Sequence, residues 1–335
     1  MCHEDAVRLQ LDRFFEKQKP AVLVVGDVMS DVYLWGKVNR ISPEAPVPIF
    51  ESVERKQALG GAGNVAANLR ALGCEVYLLG VIGADDAGRR VRDLLNQRDI
   101  SDSWLLEDAP RPTTEKTRLI AHQQQVLRLD QESRIPLSTV LVERALEQIK
   151  YVIPKVDGVI CSDYSKGVCT AALLRPLFTA ALAAGLPVVV DPKARDFSLY
   201  QGATVLTPNV AEVELATNLT LDIPGTIEQA AALLLEQTGA RALLITRGKD
   251  GMSLFRPTEA SVHIPSRTRE VFDSTGAGDT VVAAFTTALL CGLSPPEASC
   301  LANAAAGIVV GKIGTAVVTP EELEAVLSAD DSWRD

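Results

Sequence analysis

Histidine is all but missing from this sequence: His3, His122 and His263 are the whole complement, and they share no spacing that would bind a metal or serve a catalytic triad. No G-x-S-x-G elbow accompanies them, which excludes that kind of serine hydrolase. Cysteine is sparse and scattered. Cys2, Cys74, Cys161, Cys169, Cys291 and Cys300 form no C-x-x-C pair and no cluster with histidine, so zinc and a disulfide framework are not expected and reduced, mostly buried thiols are. Positive charge is also short. Lys and Arg total 33 against 43 Asp and Glu, a formal net charge of −10 and a pI of about 5.0, leaving no basic field for a nucleic-acid backbone or an anionic membrane. The richest apolar run, residues 170–190, is broken by Arg175, Pro176 and Pro187, and no membrane span is predicted. Met1-Cys2-His3-Glu4-Asp5 lacks the basic start and apolar centre of a signal peptide, so a cytoplasmic protein is expected.

What is present is enough apolar residue, 47% of 335, to bury one large core, and a single domain over residues 1–335 is expected. Short β-branched runs at Ala21 to Val25, Val76 to Val81, Gly158 to Cys161, Val188 to Val190, Val205 to Leu206 and Ala242 to Ile245 alternate with longer helical patterns. That alternation predicts an α/β fold: a mostly parallel central sheet with helices on both faces. Ser294-Pro295-Pro296-Glu297 and Thr319-Pro320-Glu321-Glu322 each place a hydroxyl at N-cap, Pro at the first helical position and Glu where a capping box needs it. Gly292 suits the end of the helix that starts after Gly276. Two segments depart from the alternation. Residues 32–52 are rich in Pro and β-formers, and residues 113–130 alternate as a hairpin with its turn near His122 to Gln124.

The most informative segment is Asp273-Ser274-Thr275-Gly276-Ala277-Gly278-Asp279, followed at once by the apolar Thr280-Val281-Val282-Ala283-Ala284-Phe285. A tight turn of small residues exposes backbone N–H groups, and the helix that opens there adds the positive end of its dipole, making a seat for an anion. A carboxylate in such a seat suits a general base that takes the proton of a hydroxyl attacking a phosphoryl group. The plainer reading is a glycine turn with Asp279 favouring the helix N-terminus.

With Gly60-Gly61-Ala62-Gly63-Asn64-Val65-Ala66 as a second block in the right order, the chain resembles the ribokinase (PfkB) family of carbohydrate kinases. The resemblance runs from Val22-Leu23-Val24-Val25-Gly26-Asp27 to Val318-Thr319-Pro320-Glu321. Gly26-Asp27-Val28-Met29, residues 40–48, Asp191-Pro192-Lys193 and Thr207-Pro208-Asn209 are most similar to the family's kinases of D-glycero-β-D-manno-heptose 7-phosphate, which serve the lipopolysaccharide core pathway. The resemblance implies a ribokinase-like fold whose segments 32–52 and 113–130 build a small β-sheet lid over the sugar site. It implies ATP and Mg2+ as cofactors, with Asp279 as base and Gly276, Ala277 and Gly278 as the anion turn. Some relatives fuse the kinase to a C-terminal adenylyltransferase; no H-x-G-H motif occurs here, and one activity is expected. The shared signatures leave two alternatives: a kinase of another sugar, and an inactive sugar-binding sensor.

Individual residues follow. Asp27 and Asp31 stand at and beyond the carboxyl end of the first strand, where open α/β sheets bind ligands, and either accept bonds from sugar hydroxyls or cap a turn and pair with Arg40. By resemblance Gly60, Gly61 and Asn64 contact sugar. Gly61 to Ala66 also fits a loose dinucleotide fingerprint, but the charged stretch Glu51 to Gln57 before it is not a buried strand. No Walker A loop occurs, because Gly36, Gly248 and Gly311 precede Lys-Val, Lys-Asp and Lys-Ile. Asn209 and Glu212 match the family's N-x-x-E motif, which organises magnesium and nucleotide phosphates largely through water; alternatively they are a plain helix start with Pro208 at N-cap or N1. Thr246 and Gly248 follow a strand end and border the expected nucleotide. Asn303 resembles the family's residue at the adenine pocket, or is a solvent-facing helix residue. For a substrate phosphate the candidate cations are Lys116 and Arg118, which share a strand face, and Lys193; Arg128 and Arg40 are weaker candidates, and solvation is the alternative for each. Apolar side chains in the lid segments, Tyr33, Leu34, Trp35, Val47, Ile49 and Phe50 among them, point to a homodimer joined through the lids.

Overall fold

A computed structural model of the protein describes residues 20–122, 124–223, 225–266, 273–312 and 314–328. The expectation placed on Met1 to Asp5 lies outside them. The main sheet has eight strands. In spatial order they are β14 (Glu259–Ile264), β13 (Met252–Arg256), β12 (Ala242–Thr246), β11 (Val205–Leu206), β10 (Val188–Asp191), β9 (Gly158–Ser162), β1 (Ala21–Gly26) and β4 (Glu75–Leu79). From β4 to β12 every pairing is parallel; β13 and β14 continue the sheet antiparallel. The expected run from Val76 to Val81 divides at Gly80 into β4 and the short β5 (Val81–Ile82), which pairs with β6 (Leu106–Glu107). A Cβ on Gly80 would sit 2.4 Å from the Val28 side chain.

Both faces of the sheet are covered, which explains why its strands read as unbroken apolar runs. Along β1, Val22 and Val24 enter one core with Ile160, Val189 and Leu244, under the helices Ala62–Ala71, Ala277–Leu290 and Pro295–Val309. Leu23 and Val25 enter the opposite core with Val159, Val190 and Ile245, under the helices Thr139–Val152, Ala171–Ala183 and Thr226–Thr238. The broken apolar run at 170–190 resolves into one of those helices and β10. Among the described residues no helix is long and apolar enough to cross a membrane. Cys74, Cys161, Cys169 and Cys291 are buried and Cys300 is partly so.

The caps follow the sequence. Glu297 accepts from the Ser294 N–H at 2.7 Å, and Thr319 and Glu322 bond reciprocally ahead of the helix Pro320–Ser328. Gly292 takes φ +94° just past the helix Ala277–Leu290.

A second sheet of four strands has the order β3 (Pro48–Gly61), β2 (Val28–Ile41), β7 (Thr114–Ala121) and β8 (Gln124–Gln131). The hairpin expected over 113–130 is β7 and β8, with His122 in its turn at φ +52°; Gln123 lies outside the described residues. The first segment is longer than 32–52: β2 begins at Val28, and β3 runs on through Glu51 to Gln57 as far as Gly61. A strand does precede Gly61, but from Glu51 to Lys56 it is exposed, so it is not the buried strand that a dinucleotide fingerprint follows.

Candidate active site

The helix Ala277–Leu290 opens at Gly276, which holds the left-handed conformation at φ +80°. A Cβ there would lie 2.6 Å from Asn64 Nδ2, so glycine meets both a backbone and a space requirement. Asp273 secures the turn by accepting from the N–H of Thr275 (2.9 Å) and of Gly314 (3.0 Å). The Ala277 N–H is taken by the Ser274 carbonyl. Gly278 and Asp279 stand in the first turn, where intrahelical geometry supplies no carbonyl four residues back.

Asp279 is 2% exposed. Its Oδ2 accepts from Asn64 Nδ2 and its Oδ1 from the Tyr164 phenol, both at 2.8 Å. Burial pushes its carboxyl up to about 7; the Asn64 and Tyr164 bonds and Lys116 pull the other way, while Asp31 adds to the rise. A buried carboxylate near 7 is matched to proton transfer at neutral pH.

Tyr164 lies in the loop after β9, and Asp27, one residue beyond β1, shapes that loop. Its Oδ2 accepts from the N–H of Tyr164 (2.8 Å) and Lys166 (3.0 Å), and its Oδ1 from Val168 N–H (3.2 Å). Burial nonetheless holds the Asp27 carboxyl above its ordinary range. Asp27 is thus committed to loop backbone. Gly61, at φ +55°, passes close to this joint, with a Cβ there falling 2.4 Å from the Asp27 carbonyl oxygen.

On the small sheet Asp31 pairs with Arg118 across β2 and β7. Arg40, the partner allowed by the sequence, instead reaches Glu51 at 3.4 Å. Arg118 also lies over the Tyr33 ring, 5.2 Å from its centre. Lys116 shares that face, as the spacing required, and its ammonium is 5.4 Å from the centre of the Tyr164 ring. Burial lowers its proton affinity.

On the other side of Tyr164 a cavity of about 180 Å³ is lined by Asp191, Lys193, Asn209, Glu212, Thr246 and Gly278 among others. Asn209 is the N-cap of the helix Val210–Thr217, not Pro208 as the helix-start reading allowed. Its Oδ1 accepts from Glu212 N–H and the Glu212 carboxylate accepts from Asn209 N–H, a full capping box. Glu212 Oε1 also receives Lys193 Nζ at 2.8 Å. Lys193 is therefore a cavity residue paired with the helix that Asn209 caps. Thr246 lies beside Asn209 in a parallel bridge.

Gly248 and Asn303 are not among the cavity's lining residues. Gly248 begins a short 3-10 turn. Asn303 is buried, and its amide donates to the Pro265 carbonyl at 2.8 Å, which corrects the solvent-facing alternative. Residues 267–272 lie outside the described ones.

Among the described residues no three His, Cys, Asp or Glu side chains converge closely enough to hold a metal. With both Glu212 oxygens engaged, the lining fits an ion that arrives on phosphates and keeps its waters.

Sequence reasoning missed Tyr164, Asp163 and Tyr200. The N–H groups of Lys193 and Ala194 donate to Tyr200 Oη, which donates to Asp163 Oδ2 at 2.5 Å; burial lifts Asp163 to about 6. The rule that singled out Asp27, a polar residue at the carboxyl end of a parallel strand, applies equally to Asp163 and Tyr164 after β9.

The family model for pfkB family carbohydrate kinases matches residues 19–322. The chain belongs to the pfkB family of carbohydrate kinases. Relatives of this pfkB chain include bifunctional protein HldE of Pelobacter propionicus, 44% identical over 94% of this chain and 65% of that protein. Another is bifunctional protein HldE of a Caulobacter species, 50% identical over 90% of this chain and 62% of that protein. The chain spans just under two thirds of the length of these relatives. Its ribokinase-like fold is shared with the ribokinase of Arabidopsis thaliana complexed with ribose and ATP, at 21% identity, 92% and 99% coverage and a TM-score of 0.74. Phosphofructokinase-2 of Escherichia coli in complex with potassium is similar at 18% identity, 93% and 99% coverage and a TM-score of 0.77.

Proposed function

We propose that this pfkB chain is an ATP-dependent kinase that phosphorylates D-glycero-β-D-manno-heptose 7-phosphate at the anomeric O1, giving the 1,7-bisphosphate for ADP-heptose and lipopolysaccharide core synthesis in the cytoplasm. The observation that carries the reaction type is Asp279, buried at a helix N-terminus between two neutral donors and held near 7. The substrate rests on the heptose-kinase stretches of the sequence and on identities of 44–50% to the HldE proteins.

In this reading Asp279 takes the O1 proton as O1 attacks the γ-phosphorus, and the bond to the bridging oxygen breaks to release ADP. The first-turn amides at Gly276, Ala277 and Gly278 receive the transferring oxygens, with the Ala277 amide needing release from Ser274. Asn209, Glu212, Thr246 and Lys193 face the nucleotide phosphates, with Gly248 and Asn303 farther along it. Glu212 would hold magnesium through water, and the ion would supply charge neutralisation on those phosphates.

Gly60, Gly61, Asn64, Asp31, Lys116 and Arg118 frame the sugar. Lys116, which pairs with no carboxylate among the described residues, is the freer cation for the 7-phosphate, since Arg118 is spent on Asp31. Asp27 supports that site through its loop.

The whole chain acts as one kinase domain, with the four-stranded sheet as its lid, and two chains associate through those sheets. The apolar residues that favour this are Ile41, Val47, Val53, Val126, Leu127 and Leu129, all exposed. Of the residues first expected on that face, Tyr33 is buried and stacks on Trp35 with ring centres 5.5 Å apart.

The test is a panel of sugars and sugar phosphates with magnesium-ATP and mass detection of products. Heptose bisphosphate as the best product supports the proposal. Preferred phosphorylation of another sugar overturns the substrate, and thermal stabilisation by sugar without turnover overturns the enzyme.

A further inference from the structure

Asp279 needs one lone pair aimed at the attacking hydroxyl, and a carboxylate held by a single bond can rotate about its Cα–Cβ and Cβ–Cγ axes. Asn64 holds Oδ2 alone. The second hold comes from a residue outside both family signatures. We infer that Tyr164 is a positioning residue of the phosphoryl-transfer centre, its phenol O–H fixing Oδ1 and so the direction in which Asp279 accepts the sugar's proton. The inference rests on the kinase reading above.

Three observations carry it. The phenol bond to Oδ1 is 2.8 Å long and joins residues from different elements. The Tyr164 backbone is itself fixed, because Asp27 Oδ2 accepts its N–H. The ring is flanked by Gly61, where a Cβ would lie 3.4 Å from its Cδ2, and by the Lys116 ammonium, 5.4 Å from its centre. A phenol held at its backbone N–H and by its bond to Oδ1 has a restricted direction for its hydrogen, which is what orienting a base requires.

The charge environment gives the inference a measurable sign. Asp279 is faced by Asp31 from β2, Lys116 from β7 and Asp191 from β10, besides Asn64 and Tyr164. The phenol donates to the ionised carboxylate and therefore favours it. Tyr164→Phe removes that one contribution and leaves the charged neighbours in place, so Asp279 holds its proton to higher pH.

The experiment is the pH profile of kcat/KM for the best sugar of the panel, between pH 5.5 and 9, for wild type, Tyr164→Phe and protein carrying 3-fluorotyrosine at position 164. The acidic limb is expected to move up by about one unit in the Phe variant, with KM for ATP unchanged. It should move down with fluorotyrosine, whose more acidic phenol donates more strongly while keeping the ring's fit, so this arm stands even if the Phe variant fails to fold. An unmoved limb in the fluorotyrosine protein, or in a folded Phe variant whose kcat falls equally at every pH, overturns the inference.

If wild type phosphorylates no sugar, the kinase reading fails and the positioning bond is judged on stability alone. Melting temperature should then fall more steeply from pH 5 to 8 in Tyr164→Phe than in wild type, and Asp279→Asn should abolish the difference. Equal slopes would show that the phenol does not act on Asp279.

Discussion

Gly60 on β3 and Asp31 on β2 occupy the same space: a Cβ on the glycine would stand 2.3 Å from Asp31 Oδ2. The missing side chain is what lets the carboxylate lie flat against the strand and reach Arg118. Gly60→Ala should therefore displace Asp31, break its pair with Arg118 and weaken sugar binding, with a stability loss of about 1–3 kcal/mol for the overpacking. Calorimetric titration of sugar and a thermal melt check it; normal sugar affinity in a folded Gly60→Ala protein would show that Asp31 does not serve that site.

Asp279→Asn should keep the fold and ATP binding and lose turnover by roughly two to four orders of magnitude. Single-turnover kinetics with a nucleotide-binding control measures this. Near-normal turnover would remove Asp279 from the base role.

The pH dependence has two signs. With Asp279 near 7, kcat/KM should rise with pH through about 7 as the base ionises. Stability should move the other way. The folded carboxyl holds its proton above the ordinary value of 3.8, so the unfolded chain binds fewer protons between there and about 7, and the contribution present at low pH is lost across that window. Melting temperatures from pH 4 to 8, compared with Asp279→Asn, isolate the effect; an identical pH dependence in the variant would contradict it.

Asp27→Ala removes the acceptor of three loop N–H groups. Sugar turnover should collapse through displacement of Tyr164, and a stability loss should accompany it because buried donors are left unpaired. ATP affinity should change far less, since Asn209, Glu212 and Thr246 hang on other elements. Separate titrations of the two ligands decide; equal losses would mean a general structural role.

Light scattering should give about twice the 35.9 kDa chain mass, and Leu127→Glu with Leu129→Glu should shift the protein toward monomer by charging the exposed face of β8. A monomer at micromolar concentration before any substitution would defeat the association.

The parallel core was legible because Val22 to Val25 and Val188 to Val190 are buried on both faces and so cannot be polar on either. The edge hairpin β13–β14 was not foreseen: it carries Arg256, Glu259 and His263 among its apolar residues and lies at the rim. The glycine turn ahead of the helix Ala277–Leu290 was legible because its glycines and aspartates are contiguous. Tyr164 was not, since its partner is 115 residues away and nothing about a tyrosine at a strand end announces the carboxylate it meets. Lys193 illustrates a third limit. Its place after β10 was plain, but its bond to Glu212 depends on where the helix Val210–Thr217 packs, a tertiary fact.

Only Asp27 separates β1 from β2, so the two sheets are joined by a single residue whose carboxylate is bolted into a third segment. The inner stretch of β2, Val28 to Tyr33, is buried, and it moves only if the core moves. The first places where the β2–β3 ribbon departs from regular pairing are the register shifts at Trp35/Gly36 and Val38/Arg40. Both irregularities lie outside the buried stretch, so the ladder that carries Asp31 is unbroken, and bending at either shift would leave Asp31 aligned with Arg118.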